Sequence, residues 1–215
     1  MRRGLAAASF ALLAMASATS AHPMHPNPLL AVDTEIEPRT TVYFADGALG
    51  PLDKAADDFG RGLSETWLTR MGEPPLLYRK SGFVLRLTKM YGAAAETIRI
   101  EQRADGGGRA LYRFFLGKRS DRRAHFAMRR QVNLSTAQMA RLRALVSTQR
   151  LTAAPPRVAM TPGVVQMDGW CLLAETNTDG DFHAAFRMMA DPRDAVADTI
   201  VSVEEIAGLS FRAPE

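Results

Sequence analysis

Near the end of the chain, Asp168 to Arg187 read DGWCLLAETNTDGDFHAAFR and gather a Trp, the only Cys, a Glu, a His and an Arg. A Glu beside a His is acid–base chemistry in prospect, because the carboxylate raises the imidazole pKa and fixes its tautomer. Two apolar arms flank an Asp179-Gly180 pair, so the stretch is a hairpin, and its register decides which side chains meet. A three-residue Thr178-Asp179-Gly180 loop gives the cleaner segregation. It pairs Glu175 with His183, Leu172 with Phe186 and Cys171 with Arg187. Trp170, Leu172, Ala174, Ala184, Phe186 and Met188 then share an apolar face, and Glu175, His183 and Arg187 share the other. Those three are the candidate catalytic residues. A structure with Glu175 and His183 on opposite faces would overturn this register. The simpler reading is a cross-strand charge pair of up to about 1 kcal/mol. Cys171 lies four residues along the strand from the level of His183, about 13 Å, so an inert thiol is expected rather than a Cys–His dyad. No Gly-x-Ser-x-Gly motif is present, and no cofactor is implied.

Two further constellations carry chemistry. Residues 99–130 hold ten Lys or Arg against three acids, with Tyr112, Phe114, Phe115 and Phe126 interleaved. Lys118, Arg119, Arg122 and Arg123 form its densest run, a candidate anion-binding site. The competing reading is that Arg side chains occupy the solvent face of the strands, offset by residues 151–215, which hold four basic residues against ten acidic ones. The third candidate is the segment HPMHP. If a leader is removed after Ala21, His22 becomes the N-terminus, where its amine and imidazole can chelate copper, assisted by Met24 and His25.

Such a leader is expected. Arg2 and Arg3 precede an apolar run from Gly4 to Met15, and small residues continue to Ala21, as in a secretory signal peptide. Cleavage after Ala18 or Ala21 is open, with Ala21 preferred. Loss of residues 1–21 removes two Arg and no acid, so the formal charge falls from +4 to +2. Net charge is therefore a poor guide to partners. Export to the periplasm or the medium argues against nucleic acid and favours an anionic envelope component. A single Cys excludes an intramolecular disulfide and thiolate-rich zinc sites. No later run is apolar and long enough to span a bilayer.

The elements that must position these residues follow from periodicity. Residues 22–40 hold four Pro and show no apolar period, so an arm is expected before a single domain at 41–215. Leu52, Ala56, Phe59, Leu63 and Trp67 mark one helix, weakened by Gly60 and Gly62 and stopped at Gly72-Glu73-Pro74-Pro75. Runs at 83–91, 97–103, 110–117 and 124–132 read as a four-stranded antiparallel meander. Ser135 and Gln138 form a capping box, with Leu134 and Met139 as its staple, before a helix whose stripe is Met139, Leu142 and Val146. After the hairpin, Asp191 and Pro192 open a last helix carrying Val196, Ile200, Val203 and Ala207, and Gly208 ends it. The sum is an α+β domain with an antiparallel sheet of about six strands and about three helices.

At MGEPPL, and again at Asp168, Gly169, Trp170, Glu175, Phe182, His183 and Arg187, the chain resembles a group of uncharacterised exported bacterial proteins. Their shared pattern is an Asp-Gly-Trp strand with a Glu, then a Phe/Tyr-His-x3-Arg strand. The resemblance spans roughly residues 70–208 and implies no activity. The expected function is that of an exported binding or structural module of the envelope. The alternatives are a hydrolase-like enzyme using Glu175 and His183, or a copper-binding protein.

Overall fold

The computed structural model describes residues 42–50, 53–117, 125–148, 151, 170–188 and 195–211. The leader, the Pro-rich arm, Asp168-Gly169 and Asp191-Pro192 lie outside the described residues. The described elements are α1 (Lys54–Arg70), β1 (Phe83–Tyr91), β2 (Ala94–Gln102), β3 (Gly108–Leu116), β4 (His125–Leu134), α2 (Thr136–Thr148), β5 (Cys171–Thr178), β6 (Asp181–Met188) and α3 (Ala195–Ala207). The strands form one antiparallel sheet in the order β4-β3-β2-β1-β5-β6, so the fold is α+β as expected. The meander stacks outward from β1, and the hairpin joins its other edge.

Both faces of this sheet are covered. Phe83, Leu85, Leu87, Ile98, Ile100, Leu172 and Ala174 pack under α2 and α3. Leu173, Phe186, Met90 and Phe115 pack under α1 and the Tyr43–Leu49 segment. β1 is consequently buried over its first six residues, and β5 over its first seven.

The helix ends are capped as their residues dictate. Asp53 caps α1, accepting from the N–H groups of Ala55 and Ala56 at 2.9 and 3.1 Å. The helix runs through Gly60 and Gly62 without a break. A Cβ at Gly60 would stand in ordinary contact, 3.4 Å from Leu49 Cβ and 3.6 Å from Phe186 Cδ1. Gly72, at φ +61°, ends α1 in a Schellman motif, with Glu73 N–H donating to Leu68 O. The capping box forms as expected: Ser135 N–H donates to Gln138 Oε1 at 3.0 Å, and Gln138 N–H donates to Ser135 Oγ at 3.2 Å. Leu134 and Met139, its staple, are both buried. Gly208, at φ +62°, closes α3 with Leu209 N–H donating to Glu204 O.

The hairpin register differs from expectation. Thr178 pairs with Asp181, Thr176 with His183, Glu175 with Ala184, Leu172 with Arg187 and Cys171 with Met188. The turn is therefore the two-residue Asp179-Gly180, with φ of 54° and 98°, which suits an Asp-Gly type I′ turn. Its surroundings hold it there. Asp179 Oδ1 accepts from Gly82 N–H at 2.8 Å, and Asp179 N–H donates back to Gly82 O at 3.0 Å. Asn177 Oδ1 accepts from Gly180 N–H at 3.0 Å. The expected register rested on one apolar and one polar face, but a sheet covered on both sides has no solvent face to reserve for polar groups.

Candidate functional site

That register separates the three hairpin candidates. Glu175 lies on the α1 face with Leu173 and Phe186, whereas His183 and Arg187 lie on the α2/α3 face with Ala185. The structure does not bring Glu175 and His183 together. His183 is half-buried opposite Thr176, and Arg187 is buried and donates to Phe186 O at 2.9 Å. Cys171 is buried on the α1 face and in no disulfide. Trp170 is half-buried against the α2/α3 core, with Lys89 Nζ 4.9 Å from its ring centroid.

Glu175 instead belongs to a centre of buried charge. The Gly92-Ala93 turn joins Tyr91 to Ala94, and this register sets Arg86 directly opposite Arg99. On the other side of β1, Arg86 stands opposite Glu175. Two guanidiniums face each other on central strands, an arrangement that repels unless an anion is supplied. Glu175 supplies one. Arg86 Nε and Nη2 donate to its two carboxylate oxygens, each at 2.6 Å, with both side chains fully buried. Glu73 supplies the second from the loop after α1. Its Oε2 lies 2.9 Å from Arg99 Nη1 and 3.5 Å from Arg86 Nη1, and its Oε1 lies 3.0 Å from Arg113 Nη1.

That loop, residues 71–82, is a strap across the α1 face. Arg86 Nη1 donates to Pro74 O at 2.6 Å, and Arg113 Nη1 donates to Met71 O at 2.7 Å. Tyr43 Oη donates to Glu73 O at 2.7 Å, and Asn177 Nδ2 donates to the carbonyls of Leu76 and Arg79, both at 3.0 Å. The polar side of β1 and β2 is thus covered, which corrects the expectation of a solvent face for Arg99, whereas Arg103, Arg129 and Arg130 are exposed as expected. Arg86 is 0% exposed and Arg99 6%.

Glu101, further along β2, contacts Arg79, Arg99 and Arg109. Among the described contacts, these guanidiniums (Arg79, Arg86, Arg99, Arg109 and Arg113) meet Glu73, Glu101 and Glu175. Burial holds Arg99 below its ordinary pKa despite Glu73 and Glu101, and Arg113 and Arg86 push the same way as burial. Burial also lowers Arg86, but Glu175 and then Glu73 outweigh it and raise the guanidinium above its usual value. Burial raises the Glu175 carboxyl above the usual carboxylate range, and the two Arg86 bonds only partly offset this.

Sequence reasoning missed Glu73, Arg86, Arg99 and Arg113 as a unit. A signal was present, because counting back from a two-residue turn at Gly92-Ala93 puts Arg86 opposite Arg99. Lys118, Arg119, Arg122 and Arg123 lie outside the described residues, as do His22 and His25. Among the described residues no three His, Cys, Asp or Glu side chains are grouped to hold a metal ion, and no described helix is long and apolar enough to cross a membrane. No family model matches the chain, and no curated protein is detectably similar to it.

Proposed function

We propose that this chain is an exported module of the bacterial envelope that acts by binding or by structural association, with an anionic envelope component as its partner. The leader-like residues 1–21 support the export. One structural observation carries the preference over hydrolysis. Both oxygens of Glu175 are held by Arg86 in a fully buried pair, on the face of the sheet away from His183. A general base must reach the proton that it abstracts, and this carboxylate is committed to its guanidinium.

The test is expression of the full chain in bacteria, fractionation, and mass measurement of the released protein. The expected product is periplasmic or secreted and begins at His22 or Thr19. The purified product should be retained by an anionic envelope polymer and released as salt rises. A cytosolic product that keeps residues 1–21 would sink the export reading. Hydrolytic turnover abolished by both Glu175→Gln and His183→Gln would sink the binding reading.

A further inference from the structure

We propose that Arg86, Arg99 and Arg113 form a binding site for a phosphate-type dianion, occupied in this conformation by the strap's own Glu73 carboxylate. This rests on the binding-module reading and names the ligand class and the place. Three guanidiniums converge on one carboxylate at 2.9, 3.0 and 3.5 Å. Each reaches it through Nη1, with Arg99 hydrogen-bonded and Arg86 and Arg113 in ion-pair contact, and guanidiniums suit phosphate oxygens as well as carboxylate oxygens. A dianion in place of Glu73 brings these three guanidiniums more negative charge than the carboxylate that it displaces. Glu175 stays in place through the exchange, because its partner atoms on Arg86 are Nε and Nη2, whereas Glu73 faces Nη1.

The occupying carboxylate sits on the strap, which the exchange must displace. Residues 73–81 run between two glycines in the left-handed region, Gly72 at φ +61° and Gly82 at φ +80°. The space beside Gly72 is open within 4 Å, and Gly82 meets only the Arg79 side chain. Gly72 is fastened to the end of α1, and Gly82 to the Asp179-Gly180 turn. In the proposed exchange both roots stay fixed and the span between them swings. Opening gives up the carbonyl contacts of Glu73, Pro74, Leu76 and Arg79 and uncovers Leu76, which is 1% exposed. The closed form thus dominates without ligand, and apparent affinity is reduced by the open fraction. Glu73 competes as a tethered ligand, at an effective concentration on the order of millimolar or higher.

The experiment titrates the full chain with inorganic phosphate by calorimetry, at an ionic strength held constant with chloride. Hydrogen–deuterium exchange of residues 73–81 is followed in parallel. Wild type should bind weakly and show faster strap exchange with phosphate. Glu73→Gln, which removes the competing charge, should bind at least about tenfold more tightly, a change of about 1.4 kcal/mol. Glu73→Asp should fall between the two, and it carries the comparison if the Gln variant does not fold. Arg113→Gln, at the half-exposed rim, should abolish binding. Vesicles containing phosphatidic acid distinguish a lipid headgroup from a free phosphate: binding lost with Arg113→Gln assigns the lipid, and binding of phosphate alone assigns a soluble ligand. The proposal is overturned if phosphate binds none of the folded proteins, if it binds wild type without changing strap exchange, or if Arg113→Gln leaves binding intact. Retention on an anionic polymer without phosphate binding would overturn this site and leave the binding-module reading standing.

Discussion

Breaking the Arg86–Glu175 pair from one side should destabilise the domain far more than removing it entirely. Both side chains are 0% exposed, and two 2.6 Å bonds join them. Glu175→Leu keeps the bulk of the side chain but leaves Arg86 with the Pro74 carbonyl and a Glu73 oxygen 3.5 Å away. Loss of one partner from such a pair costs about 3–5 kcal/mol. At roughly 2–4 °C per kcal/mol for a domain of this size, the midpoint should fall by roughly 6–20 °C. Arg86→Met leaves a buried carboxylate instead, which relieves itself by taking up a proton. Its loss should accordingly shrink as pH is lowered. The sign follows from the direction of the shift: burial already raises the Glu175 pKa above its ordinary 4.5, so the folded state binds the proton more tightly and is favoured as pH falls through the folded value. The double variant removes both charges and should be more stable than either single variant. It leaves the Pro74 carbonyl short of one donor, at about 1–3 kcal/mol. The assay is urea unfolding of all four proteins, followed by far-UV circular dichroism at neutral and mildly acidic pH. Additive losses, or single losses below about 1 kcal/mol, would refute a buried pair and with it the register that places Glu175 opposite Arg86.

Three other outcomes are expected. Gly60→Ala should be neutral to stabilising by up to about 1 kcal/mol, because the added methyl meets Leu49 and Phe186 at contact distance while the helix gains a better former; thermal unfolding checks it, and a clear loss would mean tighter packing between α1 and β6 than described. Ser135→Ala should cost about 1 kcal/mol by removing one half of the α2 capping box, read from the urea midpoint. Burial raises the Glu101 pKa, but Arg109, Arg99 and Arg79 outweigh it and hold the carboxylate below its ordinary 4.5. Its stabilisation should be complete above that value and fade as pH falls through the lower folded value, so Glu101→Gln should flatten the acid limb of a stability profile between about pH 3 and 6 relative to wild type.

Much of the fold is legible in local pattern. Alternation in FVLRLTKMY and ALYRFFLG marks strands because side chains on a strand change face at every residue. Ser135 with Gln138, and Gly208 after Ala207, mark helix ends because orphan backbone groups there need particular partners. The same local rules place Phe83, Leu85 and Leu87 on one side of β1 and Arg86 on the other. They do not say what covers the Arg86 side. A solvated face is the simplest completion, and it led to a hairpin register with its polar groups gathered on one side. Tertiary structure decided otherwise, because α1 and the strap lie over that face. Arg86 and Glu175 are 89 residues apart in the chain, and Glu73 and Arg99 are 26 apart. Contacts across such separations depend on strand order and on the path of the strap, which no local period encodes. The sequence by itself determined the elements, the capping box of α2, the Gly208 stop of α3 and the two faces of each strand. Only the folded sheet, closed on both sides, determined that Glu175 parts from His183 and joins a buried guanidinium, because a charge removed from water must find its counter-charge within reach.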